Sequence, residues 1–443
     1  MRRVKVFALV AIVASFVTVS VFAGGQREAA PADPSRPHAG TVLTFVAQPD
    51  VFAEPVRRLL PEFERQTGIR VEMETLPYAS LRERQVSEFV AGGGDLDIMT
   101  MDIVWMGEYV ENGWIEPLNS YFTRDAAQIN ADDFLPGAVQ GLGQWNGDWY
   151  GMPLGAYYYL YFYRTDVLEQ LGAEPADTLD EFVELARQME GLPNMHGFSS
   201  GYRRGAPLVH DSVSYLTGIG GSILRDFPND NTPTMNSAEA QRIYQFYIDM
   251  LNYAPPGAET FDFAARREVF QQGIVGQIGN WSSSGGAFIN PEQSQRIVTE
   301  NLGVAYMPRA SADAQPYVPF GGWSLVINRN SPNKEAAWEF FKWFSSPEVQ
   351  VQYTEMGGTP FRFSTLREPA LNAASPWFNL ILEAEANGWV DPEVRPRFST
   401  WPELEAQMAL RLSEIVSGER SIVDGLNMLN EEMRRILETA GEL

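Results

Sequence analysis

The stretch Phe320–Gln350, FGGWSLVINRNSPNKEAAWEFFKWFSSPEVQ, combines a tight turn, a strand and a helix. Its glycine pair, which ends at Gly322, allows a positive φ and a close approach of the backbone to another group. Trp323 follows at the mouth of an apolar strand, Leu325–Ile327, and Ser331 with the next proline predicts the start of a helix. The stretch therefore predicts a rigid strand–helix unit that presents an aromatic ring for binding.

Length, charge and cysteine content limit the classes of protein that the chain can belong to. A chain of 443 residues is too long for one ordinary core and predicts two lobes. Its formal net charge of −24 argues against nucleic acid and anionic lipid as partners. The chain has no cysteine, which excludes disulfide bonds, a thiolate nucleophile and a lipid-modified cysteine.

The N-terminus has the pattern of a secretory signal. Basic residues precede an apolar run over residues 6–17, and small residues around Ala23 form a cleavage site. A membrane anchor is the alternative, but this run is shorter than the ~20 residues that a bilayer requires. We expect a cleaved signal over residues 1–23, a flexible proline-rich leader over 24–40, and a periplasmic protein without a lipid anchor.

Strands alternate with helices after the leader. Apolar patterns predict strands at 42–46, 69–73 and 97–101, with helical faces at 56–63 and 81–90 between them. This order is typical of a parallel sheet with crossover helices. Because ligands of such sheets bind beyond the carboxyl ends of the strands, the residues after the third strand are candidates for a site.

Asp102 and Trp105 directly follow that third strand. Two structural interpretations stay open, namely that Asp102 caps the next helix and that Trp105 packs under it. Tyr157 begins the aromatic run Tyr157–Tyr163, in which alternate side chains of a strand face opposite sides. Most of this run is expected to be core, and Tyr157 is the candidate because it is nearest the extended segment that precedes the run.

Two further tryptophans lie beside small residues at predicted strand ends. Trp281 follows a glycine-interrupted strand over 273–279 and precedes three serines and two glycines, and Trp323 follows the glycine pair described above. An indole face suits the C–H face of a sugar ring, and neighbouring Asp or Asn side chains suit the hydroxyls. The alternative for each tryptophan is an ordinary place in the core.

Two other regions carry expectations of their own. Residues 196–227 are less regular, and we expect a loop with Arg203-Arg204 and His210-Asp211, which either lines a site or lies on the surface. The C-terminal part is predicted to contain helices at 375–388, 400–416 and 421–437.

Signs of metal or catalytic chemistry are few. The three histidines are scattered along the chain, which argues against a zinc or haem site. The chain has no phosphate-loop, dinucleotide-binding, nucleophile-elbow or zincin motif. We therefore expect no cofactor and no metal, while a glycosidase pair of carboxylates stays open because its members can be far apart in sequence.

Several short segments after the leader form a pattern through their order and spacing. They are FxxQTGIxV at 63–71, GDLDIMTMD at 94–102, GWIEPL at 113–118, YFYRTDVL at 161–168, GNW at 279–281, GGWSLVIN at 321–328 followed by SPNKEAAWEF at 331–340, and GGTPFR at 357–362. Together they resemble the family 1 extracellular solute-binding proteins, the periplasmic sugar-binding components of bacterial ABC importers. The resemblance covers nearly the whole chain after the leader. The chain departs from the family at the signal junction, where members often carry a lipid-modified cysteine.

This resemblance implies an α/β, two-lobed periplasmic-binding-protein (Venus-flytrap) fold. Each lobe is then a mostly parallel sheet flanked by helices, with the ligand cleft at the hinge. The implied boundaries are 41–153 and 325–370 for the N-terminal lobe, 154–320 and 375–443 for the C-terminal lobe, and hinge crossings near 153–157, 320–325 and 368–376.

The resemblance also implies a set of ligand-binding residues. Gln48 departs from the aromatic residue that is usual at its position, and Arg362, with Arg203 and Arg204, keeps an acidic sugar open as the ligand. The candidates are Gln48, Asp102, Trp105, Tyr157, Trp281, Gly322, Trp323 and Arg362.

The implied function is capture of a sugar or oligosaccharide in the cleft and its delivery to the membrane permease subunits of an ABC importer. We expect a monomer that has no enzymatic activity and does not bind nucleic acid. Two alternatives stay open: a carbohydrate-active lyase or hydrolase, and a sugar sensor that uses the same fold without transport.

Overall fold

The computed structural model describes residues 36–443. The predicted signal over 1–23 and most of the predicted leader lie outside these residues. None of the helices in the described part is both long and apolar enough to cross a membrane.

Twelve strands occur in the described residues, and eight of them form one sheet in which β10, β6, β11, β3, β1 and β2 are neighbours in that order. β9 and β12 join this sheet by pairing with β6 and β11. The strands are β1 (Val42–Ala47), β2 (Arg70–Thr75), β3 (Ile98–Asp102), β4 (Gln144–Trp145), β5 (Asp148–Trp149), β6 (Met152–Arg164), β7 (Leu224–Asp226), β8 (Asp230–Pro233), β9 (Gln277–Trp281), β10 (Leu302–Ala305), β11 (Val318–Ile327) and β12 (Val390–Asp391).

Helices cover the sheet and make up the rest of the regular structure. In the first half of the described chain they are α1 (Ala53–Thr67), α2 (Tyr78–Val90), α3 (Met106–Glu111), α4 (Asn119–Arg124), α5 (Ala126–Ile129), α6 (Pro136–Ala138), α7 (Thr165–Leu171), α8 (Leu179–Glu190) and α9 (Ala206–Gly218). In the second half they are α10 (Ala238–Met250), α11 (Phe263–Gln271), α12 (Gly285–Ile289), α13 (Arg296–Thr299), α14 (Lys334–Phe344), α15 (Pro347–Glu355), α16 (Phe363–Leu366), α17 (Pro369–Ala374), α18 (Trp377–Asn387), α19 (Trp401–Val416) and α20 (Ile422–Ala440).

The first lobe, the part of the molecule around β1, β2 and β3, has the predicted parallel order. β1 pairs with β2 and β3 in parallel, and α1 and α2 make the crossovers between them. α1 ends at Thr67, and the next residue, Gly68, takes the left-handed φ of 76° that is common after a helix end. The carboxyl end of β3 consequently lies at the side of the sheet where ligands of such folds bind.

Two long antiparallel strands, β6 and β11, connect the first lobe to the second lobe, which is the part around β9 and β10. Ser324 pairs with Pro153 beside β3, whereas Phe320 pairs with Tyr158 in the second lobe. Gly322 has a φ of 136°, and a Cβ atom there would lie 2.1 Å from the carbonyl oxygen of Gly155. Only glycine fits this crossing, as the glycine pair predicted.

The second lobe differs from the expected mostly parallel sheet. β9 and β10 both pair with β6 in antiparallel fashion. The reason is that β6 enters this lobe directly as a continuous strand from the first lobe, without a crossover helix before it. β9 therefore runs back toward the hinge, and its last residue, Trp281, pairs with Tyr159.

Three predicted elements have different bounds in the structure. α14 begins at Lys334, after Asn333, because the Ser331 hydroxyl donates to Asp97 Oδ1 (2.5 Å) and accepts from the Asn333 N–H (2.9 Å). The expected loop around His210 is the helix α9. The expected helix 375–388 is α18, which is preceded by the separate helix α17.

Candidate functional site

A cavity of about 320 Å³ lies between the two lobes. Its walls come from the loop after β1, the start of α2 and the end of β3 on one side, and from α9, α11 and the end of β9 on the other. The lining residues that the following paragraphs use are Gln48, Asp50, Tyr78, Asp102, Tyr157, His210, Asp262, Arg266, Asn280, Trp281, Gly322, Trp323 and Arg395.

Trp323 forms the aromatic centre of the first-lobe wall. Its ring centroid lies 5.8 Å from that of Phe52, 6.0 Å from that of Tyr78 and 5.7 Å from that of Trp105. The last two rings meet Trp323 edge to face, a favourable geometry that fixes its orientation. Trp323 and Tyr78 line the cavity, and Trp105 supports them from behind.

Asp102 ends β3 and brings a carboxylate to the same wall. The Tyr78 hydroxyl donates to Asp102 Oδ2 at 2.9 Å. Burial raises the pKa of Asp102, while the positive charge of Arg395 acts in the opposite direction. The Asp102 side chain accepts no backbone hydrogen bond at the start of the following helical turn, so it is not the helix cap that the structural interpretation proposed.

Trp281 forms the aromatic centre of the opposite wall. Its ring meets the Tyr159 ring edge to face with centroids 4.9 Å apart, and the Arg395 guanidinium lies 5.4 Å from its centroid. Next to it, Asn280 Oδ1 accepts the Trp281 N–H at 2.8 Å. The buried Asn280 Nδ2 has no hydrogen-bond partner in residues 36–443.

Arg395 reaches the cavity from an irregular segment between β12 and α19. Its Nη1 donates to His210 Nδ1 at 3.1 Å, and His210 Nε2 lies 2.5 Å from Glu405 Oε1. Because an arginine can only donate, His210 Nδ1 is the acceptor, and Nε2 carries the proton that is donated to Glu405. His210 and Glu405 thus hold the guanidinium in place from behind.

The start of α11 contributes a second set of polar groups. Asp262 Oδ1 caps this helix by accepting the N–H groups of Ala264 and Ala265, both at 3.0 Å. Arg266 is buried, forms an ion pair with Asp211 (3.1 Å) and donates to the Gly279 carbonyl (2.9 Å). This network fixes the end of β9, from which Trp281 extends.

The crossing strand and the loop after β1 meet at the edge of the cavity. The Tyr157 hydroxyl donates to Asp50 Oδ2 at 3.3 Å, and burial raises the pKa of Tyr157. The Gln48 N–H donates to Thr100 Oγ1 at 3.1 Å, which fixes the backbone of the loop. The buried Gln48 Oε1 has no hydrogen-bond partner among the described residues.

Residues 49–351 match the sequence profile of a family described as bacterial extracellular solute-binding protein. The chain belongs to this family. The expected two-lobed fold and family membership are thereby confirmed, and with them the role of a binding protein that captures solute for an ABC importer.

Three related proteins illustrate the similarity. A probable amino-acid ABC transporter periplasmic-binding protein of Sinorhizobium fredii is 24% identical and covers 76% of this chain and 77% of its own length. A mannitol-binding protein of Pseudomonas aeruginosa is 25% identical, with 87% and 91% covered. The crystal structure of an Agrobacterium radiobacter ABC transporter solute-binding protein in complex with ribitol has a TM-score of 0.84 at 30% identity and covers 90% of this chain and 99% of its own.

Six of the eight candidate residues line the cavity, and two do not. The two tryptophans from opposite lobes, Trp281 and Trp323, lie at the same cavity, as the hypothesis of a shared site requires. Trp105 contacts Trp323 but is separated from the cavity by it and by Tyr78. The residues at the cavity are Gln48, Asp102, Tyr157, Trp281, Gly322 and Trp323.

Arg362 does not belong to the cavity, and its assignment as a site residue is corrected. Its side chain is fully buried in the first lobe, where its nitrogens donate to the carbonyls of Ser345 and Ile129 and to Asp133. These bonds leave the guanidinium no role in the cleft. Its position at the end of a family motif indicates a place in the fold and not a contact with ligand.

Tyr78 and Arg395 are two of the lining residues that sequence reasoning missed. Tyr78 is the first residue of α2 and directly follows Pro77. The proline could have indicated the start of this helix. Because the helix follows a strand of the parallel sheet, its first residue lies at the carboxyl end of that sheet. Arg395 lies in a segment without regular structure, so no periodicity marks it. Of the residues that the sequence analysis offers as lining a site or lying on the surface, Arg203 and His210 line the cavity, and His210 does so from α9.

Proposed function

We propose that the protein binds a small sugar or sugar alcohol in the cavity between Trp281 and Trp323. The observation that carries this proposal is the convergence of the two indole rings from different lobes on one cavity. Two of its lining residues carry buried polar atoms, Gln48 Oε1 and Asn280 Nδ2, that have no hydrogen-bond partner within residues 36–443. Ligand hydroxyls would satisfy these atoms while the indole rings cover C–H faces.

The size of the cavity supports a compact ligand. A volume of about 320 Å³ is near the lower end of the range of about 300–1,000 Å³ that is typical of small-molecule sites. Mannitol and ribitol, which are named for two of the related proteins, are linear polyols of this compact kind. A single sugar or alditol fits this cavity better than a long oligosaccharide does.

The same geometry supports a role for ligand in closing the cleft. A ligand shifts an equilibrium between open and closed forms only through contacts that differ between the two forms. Contacts to Asp102 and Trp323 on one lobe and to Trp281 on the other exist together only when the cleft is closed. We infer that the closed, ligand-bound monomer is the form that docks on the permease.

We also infer that the ligand is released without chemical change. The carboxylates that line the cavity are Asp50, Asp102 and Asp262, and each already accepts hydrogen bonds from the protein. Asp50 and Asp262 hold a loop and a helix start, which leaves no pair set apart for acid–base catalysis. This arrangement supports binding in preference to hydrolysis or lyase chemistry.

Isothermal titration calorimetry on the chain from Gly24 onward tests the proposal. The ligand panel is mannitol, ribitol, glucose, maltose, maltotriose and the amino acids, and we expect the alditols or the monosaccharide to bind. Trp281→Ala should weaken binding by about 1–4 kcal/mol because an aromatic anchor is lost. Trp343→Ala, a partly buried tryptophan on α14 outside the cavity, is the matched control and should keep the affinity.

Other outcomes would replace the proposal. Binding of amino acids alone would assign the ligand class named for the Sinorhizobium fredii relative, and unchanged affinity in Trp281→Ala would move the site elsewhere. Recovery of a cleaved sugar after incubation would favour the enzyme. A ligand-bound protein that fails to stimulate the ATPase of its permease complex would favour a sensor. The cleavage after Ala23 is tested by the N-terminal sequence of the exported protein.

A further inference from the structure

Among the buried arginines of residues 36–443, Arg395 differs from the others in its lack of a carboxylate partner there. Five arginines are buried in residues 36–443. Four of them have a carboxylate oxygen within the ion-pair distance of 4.0 Å, and Arg395 has none among the described residues. The four pairs are Arg164–Asp166, Arg266–Asp211, Arg362–Asp133 and Arg397–Glu393.

The free donors of Arg395 belong to a side chain that lines the ligand cavity. Nη1 is used by His210, whereas the buried Nε has no partner and Nη2 makes no hydrogen bond within residues 36–443. A buried charge without a partner is unfavourable. A protein therefore keeps such a charge where a bound ligand can act as the partner. The Arg395 side chain is nevertheless held firmly, by His210 with Glu405 on one side and by the Trp281 ring on the other.

Asp102 is the counterpart of Arg395 with opposite charge. It is buried, lines the same cavity, and has no cationic group within 4.0 Å in the described part of the chain. Burial raises the pKa of Asp102. Among the neighbouring charges that lower this pKa, Arg395 has the largest effect. The two side chains therefore interact through the cavity without touching.

We propose that Asp102 and Arg395 form an opposed pair that selects an uncharged polyhydroxy ligand, whose hydroxyl groups donate to Asp102 and accept from Arg395. This inference rests on the proposed function and deepens it by naming the charge of the ligand. A hydroxyl group is both donor and acceptor, so one kind of ligand group satisfies both side chains. The charges of Asp102 and Arg395 cancel each other. A neutral ligand adds no charge, so the net charge of the pair and the ligand together stays zero.

At the Asp102–Arg395 pair, a charged analogue meets one favourable and one unfavourable side chain. The other charged lining residues are Asp50, Asp262, Arg203, Arg266 and Arg267, of which Arg203 pairs with Asp262 and Arg266 pairs with Asp211. A carboxylate on the ligand is attracted by Arg395 and repelled by Asp102, and an ammonium group meets the reverse. Because the cavity is small and buried, either charge also loses its hydration on binding. The opposed pair thus discriminates against sugar acids and amino sugars together, which a single charged residue does not do.

Calorimetric affinities for a matched ligand series test this inference. The series is mannitol, mannonate and 1-amino-1-deoxymannitol, which share carbon chain length and differ in charge. We expect the natural protein to bind mannitol at least tenfold more tightly than either charged analogue. Asp102→Asn should raise the affinity for mannonate relative to mannitol by tenfold or more, and Arg395→Gln should do the same for the amine.

Matched controls remove one surface charge of the same sign. Asp180→Asn and Arg296→Gln alter side chains that are 86% exposed and lie outside the cavity, and they should leave both affinity ratios unchanged. Thermal unfolding of each variant without ligand shows whether it is folded. If a cavity variant fails to fold, the ratios measured for the natural protein still decide the charge preference.

Three results would overturn the inference. Tighter binding of mannonate or of the amine than of mannitol by the natural protein would assign a charged ligand. Ratios that stay the same in both cavity variants, with mannitol still bound, would leave the proposed function intact and remove only the role of the pair. If none of the three compounds and no sugar of the wider panel binds, the proposed function and this inference fail together.

Discussion

Arg362 in the first lobe and Arg395 at the cavity are both buried, but the protein treats their charges differently. The Arg362 guanidinium donates to Ser345 O (2.5 Å), Ile129 O (2.6 Å) and Asp133 Oδ2 (3.0 Å), and it lies 4.6 Å from the Phe134 ring centroid. Arg395 donates only to His210 within the described residues. The comparison teaches that the lack of a carboxylate partner within the described residues, and not burial or motif membership, distinguishes an arginine that is available to a ligand from one that stabilises the fold.

The first consequence concerns stability and has the largest expected effect. Arg362→Ala should lower the free energy of unfolding by about 3–5 kcal/mol, because it leaves the carbonyls of Ser345 and Ile129 without this donor and Asp133 without its cationic partner. Arg395→Ala removes a charge that has no carboxylate partner in residues 36–443 and leaves only His210 Nδ1 without its donor, so it should lower the unfolding free energy by about 1–2 kcal/mol. Urea unfolding followed by tryptophan fluorescence measures both values.

Arg362→Lys is the matched variant for this test. It keeps the charge but not the planar fork of donors, and we expect it to recover only part of the lost stability. Equal destabilisation by Arg362→Ala and Arg395→Ala would break the comparison, because it would show that Arg395 also supports the fold.

Asp391 shows a third way in which the protein accommodates an ionisable group, in this case a partly buried carboxyl. It ends β12, on the segment that leads to Arg395, and burial raises its pKa to about 6. A carboxyl group with a raised pKa binds its proton more tightly in the folded state. Its contribution to stability is therefore fully present below about pH 4, the unfolded value, and is lost as the pH rises through about 6.

The expected size of this effect is about 3 kcal/mol, from a shift of about two pKa units at about 1.4 kcal/mol each. Asp391→Asn is neutral at every pH, so its unfolding free energy relative to the natural protein should rise by up to that amount between pH 4 and pH 7. Urea unfolding at several pH values gives this difference. A constant difference across the range would show that Asp391 titrates normally and that its surroundings are not dry.

The regular parts of the fold could be predicted from sequence because their periodicity is strong. The alternation in the first lobe, the end of α1 at Gly68 and the N-cap of α20 at Ser421 all follow from local patterns. α9 could not, because nearly all its residues are buried and it has no polar face to show a helical period. It was consequently expected as a loop.

The site residues that could be predicted from the sequence are those whose position is determined by the end of a strand. Trp281 and Asp102 end strands, so topology alone brings them to the cleft. Arg395 lies in an irregular segment, and its place at the cavity depends on tertiary contacts with His210 and Trp281. The Arg362 motif identified the family but did not reveal which way that side chain points.

Gln48 allows the same comparison within one residue. Its backbone N–H is hydrogen-bonded within the fold, whereas its side-chain oxygen is available to a ligand. The Gln48 N–H donates to Thr100 Oγ1, whereas the buried Oε1 has no partner in residues 36–443. Gln48→Ala should therefore weaken ligand binding by about 1 kcal/mol, the value of one hydrogen bond, and change the unfolding free energy by less than about 0.5 kcal/mol. Calorimetric titration and urea unfolding measure the two effects on the same preparation.

Thr100→Val, which removes the acceptor of the backbone bond, should reduce stability as well as binding. If Gln48→Ala instead lowers stability and leaves affinity unchanged, an unpartnered atom at the cavity does not indicate a ligand contact, and the distinction drawn between Arg362 and Arg395 loses its basis.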